Sequence, residues 1–224
     1  MQTESRLHRY AVAAASVPLA TLATTQSVVA DIVYETTEGL TIGSFGAMPD
    51  YTVLSIGDYG AIQLAAGHNS AGPEYLFRAV AVSDSKGGER PIGMVVDVGG
   101  GSSKILELQR FAAGDLIGSA GSLNKSGFGV KGSEGVWVEG PFAEGGSGYL
   151  GFAIEMEGVG EEAYRYGWIG VAWDPSTFEL TIDGFAYETD AGVGIAAGAI
   201  PAPGALGLFG LAAGAAGIRR KRHV

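Results

Sequence analysis

The sequence contains no cysteine. Disulfide staples and thiolate metal ligands are therefore excluded, and with them zinc centres built from Cys and His. Histidine is scarce too, with His8 and His223 near the termini and His68 alone in the body of the chain. A Ser-His-Asp triad would have to use His68, in the turn-like Gly67-His68-Asn69-Ser70, where a solvated loop histidine is the plain expectation. Basic residues number 14 against 24 acidic ones, a net charge of −10. Recognition of nucleic acid or anionic lipid needs clustered Lys and Arg, so a nucleic-acid partner is set aside. Long stretches of helical periodicity are missing as well.

What is plentiful is glycine, 38 residues in 224, well above the ordinary share of about 7%. The glycines fall between short apolar runs rich in Val, Ile, Tyr, Phe and Trp. Such runs occupy 51–56, 61–65, 75–82, 92–98, 105–111, 136–139, 149–156, 164–173 and 178–187. Many short strands at close spacing, bounded by Gly, Pro, Asp and Ser, predict an all-β domain. The expectation is a single antiparallel β-sandwich, jelly-roll-like, over residues 31–198. The runs from Tyr149, Tyr164 and Phe178 are joined by short turns, which favours an antiparallel meander. The glycine-rich stretch 114–135 reads as a long loop or hairpin excursion.

Several patterns in the body invite chemistry. Val96-Asp97-Val98-Gly99-Gly100-Gly101-Ser102-Ser103 resembles the phosphate loop of actin-like ATPases, but in a short, helix-poor body it reads as a strand and its turn. Glu155 and Glu157 alternate along one strand, with Glu161 and Glu162 close behind, the raw material of a glycoside hydrolase. Solvated charge on an outward face explains them equally well. No EF-hand ligand run occurs, so no cofactor is expected, with irregular loop calcium as the open alternative. Trp137, Trp168 and Trp173, joined by Tyr164 and Tyr166, are the candidate ligand-facing aromatics of a glycan-binding module. Core packing is the competing explanation. Asn124-Lys125-Ser126 fits an N-x-S sequon, with a polar loop residue as the default.

The termini have a different grammar. Arg6 and Arg9 precede a mostly apolar stretch ending in Val28-Val29-Ala30, which predicts a signal peptide over 1–30 with cleavage after Ala30. Residues 199–224 carry Pro201-Ala202-Pro203, an uncharged Gly/Ala/Leu run, and the cationic stop Arg219, Arg220, Lys221 and Arg222. As a helix the run would be about 22 Å long, short of the roughly 30 Å hydrocarbon core, and its basic end favours a cytoplasmic C-terminus. Without the six cations of the two termini and without Glu4, the body keeps eight of the 14 basic residues and 23 of the 24 acidic ones, a net charge near −15.

This tail resembles the sorting domain of the PEP-CTERM proteins, with Ala202 where that family has Glu between the prolines. The block from Tyr149 through Tyr187-Glu188-Thr189 is similar to a module found in such proteins of planctomycete-like bacteria. The resemblance implies export by the Sec machinery, a transmembrane sorting helix, processing by an exosortase, transient residence in the inner membrane, and delivery to the cell surface or an extracellular polysaccharide matrix. The expected function is that of a secreted, non-catalytic surface or matrix protein. Glycan binding is the alternative, and glycoside hydrolysis a weaker one.

Overall fold

The computed structural model describes residues 31–46, 49–68, 74–82, 92–97, 106–133, 137–156 and 164–201. By its contacts the chain divides between Ala30 and Asp31, and every described residue belongs to the second unit. The strands are β1 (Ile32–Ile42), β2 (Asp50–Ile56), β3 (Gly60–Ala66), β4 (Glu74–Val82), β5 (Ile92–Asp97), β6 (Glu107–Leu108), β7 (Arg110–Phe111), β8 (Leu116–Ile117), β9 (Ser122–Asn124), β10 (Ser126–Ser133), β11 (Trp137–Glu139), β12 (Gly146–Glu155), β13 (Tyr164–Asp174), β14 (Glu179–Glu188) and β15 (Ile195–Ala196).

The two-sheet sandwich expected from the sequence is not what forms. Ten strands are hydrogen-bonded in one path, β1-β14-β13-β12-β5-β6-β10-β4-β3-β2, and the path curls into an almost fully closed barrel. Its ends, β1 and β2, approach each other across the one seam. The pairings are antiparallel except for a single parallel contact, Phe128 opposite Glu107. Alternation of inward and outward residues is the same in a sandwich and a barrel. What separates them is whether hydrogen bonding continues around the corners, and bulges make it continue here.

Two of these bulges are traceable to particular residues. In β14 the register steps from Gly184 opposite Gly170 to Ile182 opposite Val171. The inward set therefore changes from Leu180 and Ile182 to Phe185 and Tyr187, while Asp183 stays exposed. At the same level β1 carries extra residues between Thr36 and Leu40, with Glu38 and Gly39 at positive φ. Thr36 Oγ1 donates to the Asp183 carbonyl at 3.4 Å, so both strands turn the corner together. In β10, Gly129 sits at a register shift, and a Cβ there would lie 2.3 Å from the Phe77 ring. Only a residue without a side chain lets that ring enter the core at this point.

Two apolar layers result. The barrel interior is filled by Ile56, Ile62, Leu64, Phe77, Met94, Phe152, Ile169, Leu180 and Ile182, among others. A second layer lies outside the wall, where Val95, Ala153, Tyr166, Trp168 and Ala186 are covered by Phe111, Ile117, Ile195 and Ala197. The covering strap is tied down by β15 pairing with β8 and by Trp168 Nε1 donating to the Ala199 carbonyl at 3.1 Å.

The meander of β12, β13 and β14 forms as an antiparallel unit. The stretch expected to loop between 114 and 135 instead contains β8, β9 and β10. The expected transmembrane helix falls on residues outside the described set. Among the described residues no helix is long and apolar enough to cross a membrane, and residues 202–224 lie outside the described set, as do 1–30 with Ala30.

Candidate functional site

A groove lined by polar and aromatic side chains lies on the outside of the barrel wall, where β5, β9, β12 and β13 meet. Ile92 and Met94 point into the barrel, so alternation turns the intervening Gly93 outward. Having no side chain, Gly93 leaves a hollow between Leu123 of β9, 3.3 Å from the position its Cβ would take, and the β12–β13 pair. Glu155 and Tyr164 stand opposite each other in that ladder. The groove is lined by Ile92, Gly93, Leu123, Asn124, Lys125, Glu155 and Tyr164, with a volume of about 200 Å³.

Its chemistry is mixed. Tyr164 is half-buried and offers a ring, tilted 40° against Tyr166 at 6.4 Å. Burial first, and then the neighbouring Tyr164, push the Tyr166 hydroxyl above its ordinary value. Glu155 and Lys125 are exposed at the rim, one an acceptor and the other a donor. Asn124 Oδ1 accepts the Ser126 N–H at 3.3 Å, which fixes the amide across a tight turn. Asn124, Lys125, Glu155 and Tyr164 are thus gathered from separate parts of the chain. Each is visible in the sequence, in a sequon, a carboxylate pair and an aromatic strand. Their juxtaposition had no local signal, because it depends on β9 pairing with β5 rather than with its sequence neighbours.

The tryptophans fall on different surfaces. Trp168 is 4% exposed in the outer layer, edge-on to Tyr149 at 5.3 Å. Trp173 is 2% exposed in the interior, stacked on Phe77 at 6.1 Å. Five residues apart on one strand, they face opposite ways. Trp137 lies on β11 opposite Ser133, and its side chain is outside the described set. Trp168 and Trp173 therefore form no common sugar-stacking platform.

The other sequence candidates are dispersed. His68 is not a solvated loop residue; it is buried, stacked on Phe45 at 5.5 Å and tilted against Phe178 at 5.0 Å. Asp97 is exposed at the end of β5, and residues 98–103 lie outside the described set, as do Glu157, Glu161 and Glu162. Among the described residues no group of three acidic or histidine side chains is placed to hold a metal ion. Pro201 is the last described residue and is exposed; Ala202, Pro203, Arg219, Arg220, Lys221 and Arg222 lie beyond. No family model, curated protein or solved structure matches this chain.

Proposed function

We propose that the protein is a non-catalytic glycan-binding module that holds a neutral sugar residue in the wall groove against Tyr164. The observation that carries this reading is the combination of one aromatic face with Asn124, Lys125 and Glu155 in a single shallow hollow. Sugar hydroxyls both donate and accept, and the groove offers partners of each kind around an apolar ring. A shallow, open site suits one unit of a polymer better than an enclosed small molecule does. The acidic surface disfavours polyanionic chains, so a neutral polysaccharide is the better ligand. Only one carboxylate of the described residues, Glu155, lines the groove, whereas the usual glycosidase centre uses two.

A glycan array probed with the full chain tests this directly. Binding to neutral glycans is expected to weaken about tenfold in Tyr164→Ala, the loss of one central aromatic contact. A blank array, or equal binding by wild type and variant, overturns the reading. The place of action we propose is outside the cell, at its surface or in a polymer matrix, reached through the Sec machinery and an exosortase. Intact-mass measurement of the protein from medium and membrane checks that: a C-terminus near Pro203 supports processing, and retention of Val224 in every fraction refutes it.

A further inference from the structure

The floor of the wall groove carries a finer pattern than its rim. Gly93 is half-buried and lies between Ile92 and Met94, whose side chains fill the barrel. Around the point where a Cβ of Gly93 would stand are Leu123 Cβ at 3.3 Å, Leu123 Cδ1 at 3.9 Å and the Asn124 carbonyl oxygen at 3.9 Å. An aliphatic wall and an amide acceptor thus flank one small hollow. A hydroxyl set against Leu123 would give up water without a partner, whereas a methyl group there loses nothing and gains the contact.

Asn124 adds the opposite polarity. Its Oδ1 accepts the Ser126 N–H at 3.3 Å, which leaves the Nδ2 protons of this exposed side chain as donors to the groove. Lys125, exposed beside it, is a second donor. The Asn124 carbonyl has two lone pairs, so it accepts from a ligand even where the sheet uses it once. An aliphatic surface, an amide acceptor and an amide donor therefore follow one another along Leu123 and Asn124. That set is the complement of an acetamido group, whose methyl, N–H and C=O each find a partner in it. A plain hexose presents hydroxyls alone and leaves the Leu123 wall unused.

We propose that the groove selects a 2-acetamido sugar, the N-acetylated hexose unit of a neutral polysaccharide, with its ring on Tyr164 and its acetamido methyl in the hollow at Gly93 against Leu123. The proposal rests on the glycan-binding reading and narrows it to one ligand class. Glu155, at the rim, accepts from a ring hydroxyl and keeps acidic sugars out.

The test uses two trimers of one linkage that differ only in their C2 substituent, tri-N-acetylchitotriose and cellotriose, titrated calorimetrically into the full chain. The acetylated trimer is expected to bind about tenfold tighter, the combined margin of one buried methyl and one hydrogen bond. Gly93→Ala fills the hollow and Leu123→Ala removes its wall, and each is expected to bring the ratio of the two affinities close to one. Tyr164→Ala should instead weaken both trimers and preserve their ratio. Because Gly93→Ala obliges Leu123 to yield by a few tenths of an ångström, Leu123→Ala, at a position 36% exposed, decides the matter if the first variant fails to fold. Equal affinities in the wild type that are lost in Tyr164→Ala overturn the acetamido assignment and leave glycan binding standing. A ratio that survives in the folded hollow variants also overturns it. Absence of binding to either trimer overturns both readings.

Discussion

At the scale of single residues, the interior is set by where side chains are absent as much as by where they are large. Gly167 faces the barrel interior, and a Cβ there would lie 2.2 Å from Cζ of Phe152, a ring with no exposure. Gly167→Ala is therefore expected to destabilise by about 1–3 kcal/mol, the usual range for overpacking. Thermal or urea denaturation measures it. Phe152→Leu in the same background should recover part of the loss, and a strictly additive double mutant would show that the two positions do not touch. The opposite orientations of Trp168 and Trp173 follow from their spacing alone. The hollow at Gly93 does not, since it takes Leu123 from another strand to give it a wall.

At the scale of elements, the strap formed by residues 106–124 and 190–201 decides what the outer face of the meander becomes. Gly192 N donates to the Tyr164 carbonyl at 2.8 Å, Ala197 N to Asp115 O at 2.8 Å, and Gly114 N to Ala197 O at 2.9 Å. These bonds lay Ile195, 2% exposed, over the outer apolar layer. Ile195→Ala is expected to cost about 2–5 kcal/mol, as for other buried aliphatic truncations, and to red-shift the emission of Trp168 as its cover loosens. A neutral substitution by chemical denaturation would mean that the strap adds nothing to the barrel. Strands with clear apolar alternation were legible, β2, β3, β13 and β14 within a residue of their ends and β12 within three. Two were not. β1 is written largely in Thr and Glu because most of it is exposed, and β10 hides behind the glycines that admit Phe77 and Leu108.

At the scale of the whole molecule, closure of the wall buries tyrosines from both layers. Burial is the leading reason that Tyr166 and Tyr187 have raised pKa values; Tyr59 and Glu35 add to the effect at Tyr187, and Arg165 opposes it. An unfolded chain ionises these hydroxyls near pH 10, before the folded one does. Their contribution to stability is complete below that pH and is lost as pH rises through the folded values. The melting temperature should accordingly fall above pH 10, and less steeply in Tyr187→Phe; parallel curves for the two proteins would contradict the assignment.

The sequence by itself determined the all-β class, the meander and which residues alternate inward, because a period of two is local to each strand. Only the tertiary structure decided between sandwich and barrel, and brought Asn124, Lys125, Glu155 and Tyr164 to one groove. Those outcomes depend on which distant strands pair and where a bulge shifts the register by one residue. A displacement of that kind exchanges the two faces of a strand while leaving its hydrophobic pattern unchanged.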